Sequence, residues 1–127
     1  MESRILVVDD EPLIQEVYET ALSDAGYSVV TAGSGEEALR ILKKGKINVM
    51  FLDLRMPGMD GLELCRKIRK SNPIACIYAV TGYASIFELA DCREAGFDDY
   101  FNKPIDLKLL VKTAQDAFAK IDRWKKR

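Results

Sequence analysis

Acidic residues stand at two points in the chain where they could share one site. Val8-Asp9-Asp10-Glu11 follows a short aliphatic run near the start, and Leu52-Asp53 closes a second such run. A third run leads into Val80-Thr81-Gly82, and a more mixed fourth into Asn102-Lys103-Pro104. Carboxylates brought together repel, by about 4 kcal/mol per pair at about 4 Å and an effective dielectric of about 20. A cluster of Asp9, Asp10 and Asp53 therefore needs a cation. Oxygen donors with room for water suit Mg2+, with Mn2+ as an alternative, better than zinc. Thr81 offers a hydroxyl, and Gly82 has no side chain to keep a bulky oxyanion from the backbone. Lys103 offers an ammonium group, and the proline after it makes Lys103-Pro104 a candidate cis peptide. Carboxylate, metal, hydroxyl and amine together form a cage for a phosphoryl group in flight.

These side chains meet only if the runs that carry them lie side by side. Strand candidates at 4–8, 28–32, 49–52, 76–80 and 99–102 alternate with stretches of helical period, the pattern of βαβ units and a parallel sheet. The first, third and fourth are continuous apolar runs, as strands covered on both faces should be. The second and fifth are mixed, which suits sheet edges. The expected architecture is an α/β, (βα)5 doubly wound, five-stranded parallel sheet in the order 2-1-3-4-5. In such a sheet ligands bind outside the carboxyl ends of the strands, near the point where strand order reverses.

The helices between the strands carry their own signals. Ile14, Val17, Tyr18, Ala21, Leu22 and Ala25 share one face, with Pro12 in the first turn and Gly26 after the end. Ser34-Gly35-Glu36-Glu37 is a capping-box pattern opening a helix to about position 44. A third helix is expected over 60–70, before Asn72-Pro73, and a fourth over 85–95, ending at Gly96. Asp106 can cap a fifth, whose buried stripe is Leu107, Leu110, Val111, Ala114, Phe118 and Ile121.

At 127 residues the chain suits one domain, expected over 1–122, and is long enough to need no disulfide or metal staple. Residues 123–127 read as a basic helix end or the start of a linker. A net charge of −1 gives no overall pull towards nucleic acid or membrane. No apolar run has the length of a membrane span, and the N-terminus has no signal-peptide pattern. Cys65, Cys76 and Cys92 are odd in number and not in CxxC spacing, so they read as reduced thiols of a cytoplasmic protein. The chain contains no histidine. That excludes a Ser–His or Cys–His nucleophile pair, an imidazole acid or base, and a His-ligated zinc site. At the C-terminus Lys120, Arg123, Lys125, Lys126 and Arg127 surround Trp124, a solvated helix end whose cations complement the helix dipole. Alone they make too weak a footprint for direct nucleic-acid binding.

Asp9-Asp10, the run from Asp53 through Met56-Pro57-Gly58 to Gly61, Thr81-Gly82, and Asp99-Tyr100-Phe101-Asn102-Lys103-Pro104 together resemble the receiver domain of two-component response regulators, of the chemotaxis type. The likeness runs from the first strand to the fifth helix, with separated motifs in the family's order, and it implies the flavodoxin-like fold. It further implies that Asp53 is the phosphoacceptor, served by a sensor histidine kinase or a histidine phosphotransfer protein. Mg2+ would be held by Asp53, by Asp10 directly, by Asp9 mainly through water, and by the backbone carbonyl of Arg55. Lys103 and Thr81 would each take a phosphoryl oxygen, and Thr81 with Tyr100 would form the switch. The side chains of Arg55 and Tyr83 would tune hydrolysis, and both are large, so a long-lived phosphorylated state is expected. The face made by helix 4, strand 5 and helix 5, with Phe87, Glu88, Asp91, Lys108 and Lys112 expected to be exposed, would contact an output domain, an effector or a second copy. The chain is then a signalling switch and not an enzyme acting on other substrates.

Three other readings compete. A phosphohydrolase with an aspartyl-phosphate intermediate would carry Asp-x-Asp after its first strand and a cap domain, both missing here. A flavodoxin-like nucleotide binder would have a first loop rich in Ser, Thr and Gly, where this one is acidic. A receiver reduced to partner binding would not need the complete set of site residues.

Overall fold

The computed structural model describes residues 3–82 and 86–126, with the backbone alone for Ile86 and Phe87. Five strands, β1 (Arg4–Val8), β2 (Ser28–Ala32), β3 (Val49–Asp53), β4 (Cys76–Thr81) and β5 (Asp99–Asn102), alternate with five helices. These are α1 (Pro12–Asp24), α2 (Gly35–Lys44), α3 (Gly61–Ser71), α4 (Ile86–Ala95) and α5 (Leu107–Lys125). All strand pairings are parallel, in the order β2-β1-β3-β4-β5. The flavodoxin-like (βα)5 topology expected from the sequence is the topology found.

Alternation along the strands divides the core in two. Leu6, Val8, Met50, Leu52, Ile77 and Ala79 point to one face of the sheet, where α2, α3 and α4 cover them. Ile5, Val7, Val49, Phe51, Tyr78 and Val80 point to the other, against α1 and α5. β3 and β4 are buried at every residue, whereas β5 is half-buried or exposed throughout. Continuous apolar runs therefore occupy the middle of the sheet and mixed ones its edges, as burial on both faces requires.

Several boundaries and faces differ from expectation. β3 and β4 each run one residue further, taking in Asp53 and Thr81, because the ladder continues through Asp53–Val80 and Thr81–Asn102. α3 begins one residue later, and the expected start of α4 at Ser85 lies outside the described residues. Asp60 stands outside α3 as its cap, with Oδ1 accepting from the Glu63 N–H at 2.9 Å. Ser34 caps α2 by accepting from the Glu37 N–H, but Glu37 reaches past it and accepts from the Gly33 N–H at 2.6 Å. The reciprocal half of the capping box is thus shifted by one residue. Val17 is 44% exposed because it sits on the flank of α1, away from the line through Tyr18 and Leu22. Ala25 and Leu107 are exposed at helix ends that overhang the sheet, and Ala117 takes a place in the α5 stripe. α5 runs unbroken to Lys125.

The turn from β3 into α3 leaves no room for a side chain. A Cβ on Gly61 would run into the Asp53 carbonyl oxygen and lie 2.8 Å from Leu54 Cα, both backbone atoms that cannot swing aside. The Gly61 N–H also closes the loop onto the Leu54 carbonyl at 3.0 Å. Gly61→Ala is accordingly expected to cost about 2 kcal/mol or more through backbone displacement, read as a lower urea midpoint at unchanged m-value.

Candidate functional site

Strand parity also aims the polar residues at the strand ends. Asp9 follows Ile5 and Val7, Asp53 follows Val49 and Phe51, and Lys103 follows Phe101, so all three project on the α1/α5 side, just beyond the apolar core. Thr81 follows Ile77 and Ala79 towards α4, on the side where the half-buried Tyr100 packs. Short local hydrogen bonds set the carboxylates. Asp9 Oδ1 accepts from the Glu11 N–H at 2.9 Å, and Asp53 Oδ1 from the Arg55 N–H at 3.2 Å. Gln15 Nε2 donates to the Asp9 carbonyl at 2.6 Å and ties α1 to this loop. The Lys103 N–H donates to the Thr81 carbonyl at 2.7 Å, joining the ends of β4 and β5. The Lys103-Pro104 peptide is cis.

The ammonium of Lys103 sits among the acids. Its Nζ lies 2.8 Å from Asp9 Oδ2, 3.3 Å from Asp53 Oδ2 and 3.9 Å from Glu11 Oε1. Asp9 and Asp53 are buried and Asp10 is exposed. Burial raises the Asp53 carboxyl above its ordinary value and nearby Asp9 adds to the rise, while Lys103 and the Arg55 N–H oppose it. Burial alone would lower Lys103, but its bonds and charge contacts with Asp9 and Asp53 outweigh that and raise it. One ammonium against Asp9, Asp10 and Asp53 leaves an excess of two negative charges.

That excess is what a divalent cation would cancel. Asp9, Asp10 and Asp53 each offer a carboxylate oxygen, and these oxygens lie within 4.8 Å of one another. Hard oxygen donors, two of them buried and one open to solvent, fit Mg2+. Thr81 is fully buried as a residue, at the end of β4. Among the described residues, no atom lies within 4 Å of where a Cβ on Gly82 would stand.

Arg55 and Tyr83 fare differently. Tyr83 lies outside the described residues, as does the Phe87 side chain. The exposed Arg55 side chain forms an ion pair with Glu88 on α4. Glu88 is therefore partly covered, not the open surface residue expected, because the guanidinium lies against it. Asp91, Lys108 and Lys112 are exposed. Gln15 and Glu88 carry no sequence signal for the contacts they make, whereas the burial of Tyr18 follows from the apolar period of α1 but its place beside the cluster does not. Tyr18 is buried on α1 beneath the cluster; burial raises its hydroxyl, and the charges of Lys103, Asp9, Asp53 and Glu11 act on it. Only the packing of α1 and α4 against the strand ends reveals them.

The family model described as the response regulator receiver domain matches residues 5–115. The chain belongs to the response-regulator receiver domain family. A receiver domain protein (CheY-like) from Methanospirillum hungatei JF-1 shares 32% identity at a TM-score of 0.90, covering 99% of this chain and 98% of that one. The chemotaxis protein CheY4 of Vibrio cholerae shares 30% at 0.87, covering 92% and 99%. Response regulator MprA of Mycolicibacterium vanbaalenii is 40% identical over 111 residues, 87% of this chain and 48% of that protein. Transcriptional regulatory protein GlrR of Escherichia coli (strain K12) is 34% identical over 128 residues, 97% of this chain and 29% of that protein. This receiver spans half or less of the length of such curated relatives. Among the described residues, no helix is long and apolar enough to cross a membrane.

The raised Asp53 carboxyl makes the site a cost to the fold. A raised acid stabilises the folded state below its unfolded value, and that contribution is lost as pH rises through the folded one. At neutral pH the ionised carboxylate is thus a net burden. Asp53→Asn should raise the melting temperature at pH 7 by roughly 4 °C for each 1 kcal/mol relieved, and the gain should vanish in acid below the ordinary carboxylate range. Mg2+ should stabilise the wild type more than the variant in the same thermal scans.

Proposed function

We propose that this receiver accepts a phosphoryl group on Asp53 in a Mg2+-dependent reaction, and that the modification switches the face made by α4, β5 and α5. The observation that carries the reading is the buried Asp53 carboxylate, 3.3 Å from the Lys103 ammonium in a cluster with Asp9 and Asp10. The family is that of two-component response regulators, signalling switches that interact with histidine kinases and output effectors. The finer assignments rest on the residues present. An Asp53 oxygen forms the new bond to phosphorus as the bond to the donor's imidazole nitrogen breaks, and that nitrogen keeps the electron pair and later takes a proton from water. The donor is a phosphohistidine on a sensor kinase or histidine phosphotransfer protein, since this chain has no histidine.

Asp9, Asp10, Asp53 and the backbone carbonyl of Arg55 would hold the Mg2+. When bound, it supplies positive charge that offsets the carboxylates and the incoming phosphoryl oxygens. Lys103, already beside Asp53, pairs with one phosphoryl oxygen, and the Thr81 hydroxyl donates to another. Thr81 and Tyr100 share the α4 side of the sheet, so a shift of Thr81 towards the phosphoryl group opens space for Tyr100 to follow. This would bias a pre-existing equilibrium in the α4–β5–α5 face, which includes Asp91, Lys108 and Lys112. That face then meets an output domain, an effector protein or a second copy of the chain. Bulk at Arg55 and Tyr83 slows the approach of water to the phosphoryl group. The chain acts in the cytoplasm, promotes only its own phosphorylation and dephosphorylation, and touches neither nucleic acid nor membrane directly.

Intact-protein mass spectrometry after incubation with acetyl phosphate tests the reading. One added phosphoryl group is expected on the wild type with Mg2+, and none without Mg2+ or in Asp53→Asn. No added mass under conditions that label a control receiver would reduce the chain to a partner-binding module.

A further inference from the structure

The ion pair between Arg55 and Glu88 lies outside the carboxylate cluster and joins two elements that flank it. Arg55 stands in the loop after β3, two residues beyond Asp53, and Glu88 is in the first turn of α4. Arg55 touches the site and the helix at once: its N–H donates to Asp53 Oδ1 at 3.2 Å, and its guanidinium donates to Glu88 Oε1. The two side chains differ in exposure, Arg55 being 62% exposed and Glu88 20%. The guanidinium is the more solvent-exposed partner and the carboxylate the more covered one.

Among the described side chains of α4 only Cys92 and Ala95 are buried, both small, whereas α3 buries Leu64, Cys65 and Ile68. The ion pair joins the first turn of α4 to the loop after β3.

We infer that Arg55 and Glu88 form a latch that holds α4 in the unphosphorylated arrangement and opens when a phosphoryl group on Asp53 competes for the guanidinium. The inference rests on the reading of Asp53 as the phosphoacceptor. Phosphorylation replaces a singly charged carboxylate by a group of about two negative charges with three oxygens, which matches the guanidinium fork better than one carboxylate does. Arg55 is tethered two residues away, so it need only turn. Coupling of this kind is reciprocal: whatever releases Glu88 also favours the phosphorylated state. Glu88 is thus a positioning residue that acts through Arg55.

Beryllofluoride with Mg2+, a phosphoryl mimic, is to be titrated by NMR into the wild type, Asp53→Asn, Glu88→Gln, Arg55→Gln and the Glu88→Gln/Arg55→Gln double variant. Amide hydrogen exchange over 86–95 is measured on the mimic-free proteins. Glu88→Gln should bind the mimic about three-fold more tightly, the size expected of a partly exposed ion pair, and the gain should disappear in the Arg55→Gln background. Each single variant should speed exchange in α4, and the double variant no more than either. Equal tightening in both backgrounds would mean a general loss of negative charge and would overturn the latch. So would unchanged exchange in both single variants, whatever happens at Asp53. No Mg2+-dependent binding by the wild type, or binding that survives Asp53→Asn, would instead strike the reading of Asp53. With exchange responding as expected, the pair would then be a static tie, and the switch would fall with that reading.

Discussion

Two carboxylates are buried at the ends of adjacent central strands, and a single ammonium is shared between them. Like charges this close are stable only against positive charge, and the fold brings Lys103 from the far edge strand to supply part of it. Much of the upper surface of the molecule answers to that arrangement. The end of β5 is tied to β4 through the Lys103 N–H and the Thr81 carbonyl, and α1 is tied to the first loop through Gln15. The remaining negative charge is the site's chemical capacity. It favours a divalent cation, while burial first and the Asp9 charge second keep the Asp53 carboxyl raised.

The same parallel sheet that creates the charge problem also separates the tasks at its edge. Parity sends Asp9, Asp53 and Lys103 to the α1/α5 side and Thr81 with Tyr100 to the α4 side. The acidic cluster and the Thr81–Tyr100 pair are therefore adjacent but face different helices. α4, whose buried side chains among those described are Cys92 and Ala95, is joined to the loop after Asp53 by the Arg55–Glu88 ion pair.

Most of the fold was legible because its signals are local or periodic. The continuous apolar runs of β1, β3 and β4 report burial on both faces, and Asp60 and Asp106 report helix starts through single hydrogen bonds. Failures came where a neighbour decides. Leu107 matches the α5 period yet overhangs the sheet, and Glu37 bypasses the expected half of its capping box to reach Gly33. The ends of β3 and β4 moved out by one residue because ladder pairing, which no single strand reveals, continues through Asp53 and Thr81.

The residue types that can carry phosphoryl chemistry, their order on successive strand ends and the lack of any histidine were determined by the sequence alone, since each is a property of local pattern and composition. Only the tertiary structure decided that Lys103 bridges Asp9 and Asp53, that Gln15 and Tyr18 support the site from α1, and that Arg55 reaches Glu88. The Lys103 and Arg55 contacts join residues far apart along the chain. Their distances depend on how helices settle on the sheet, and side-chain packing, not sequence spacing, sets that.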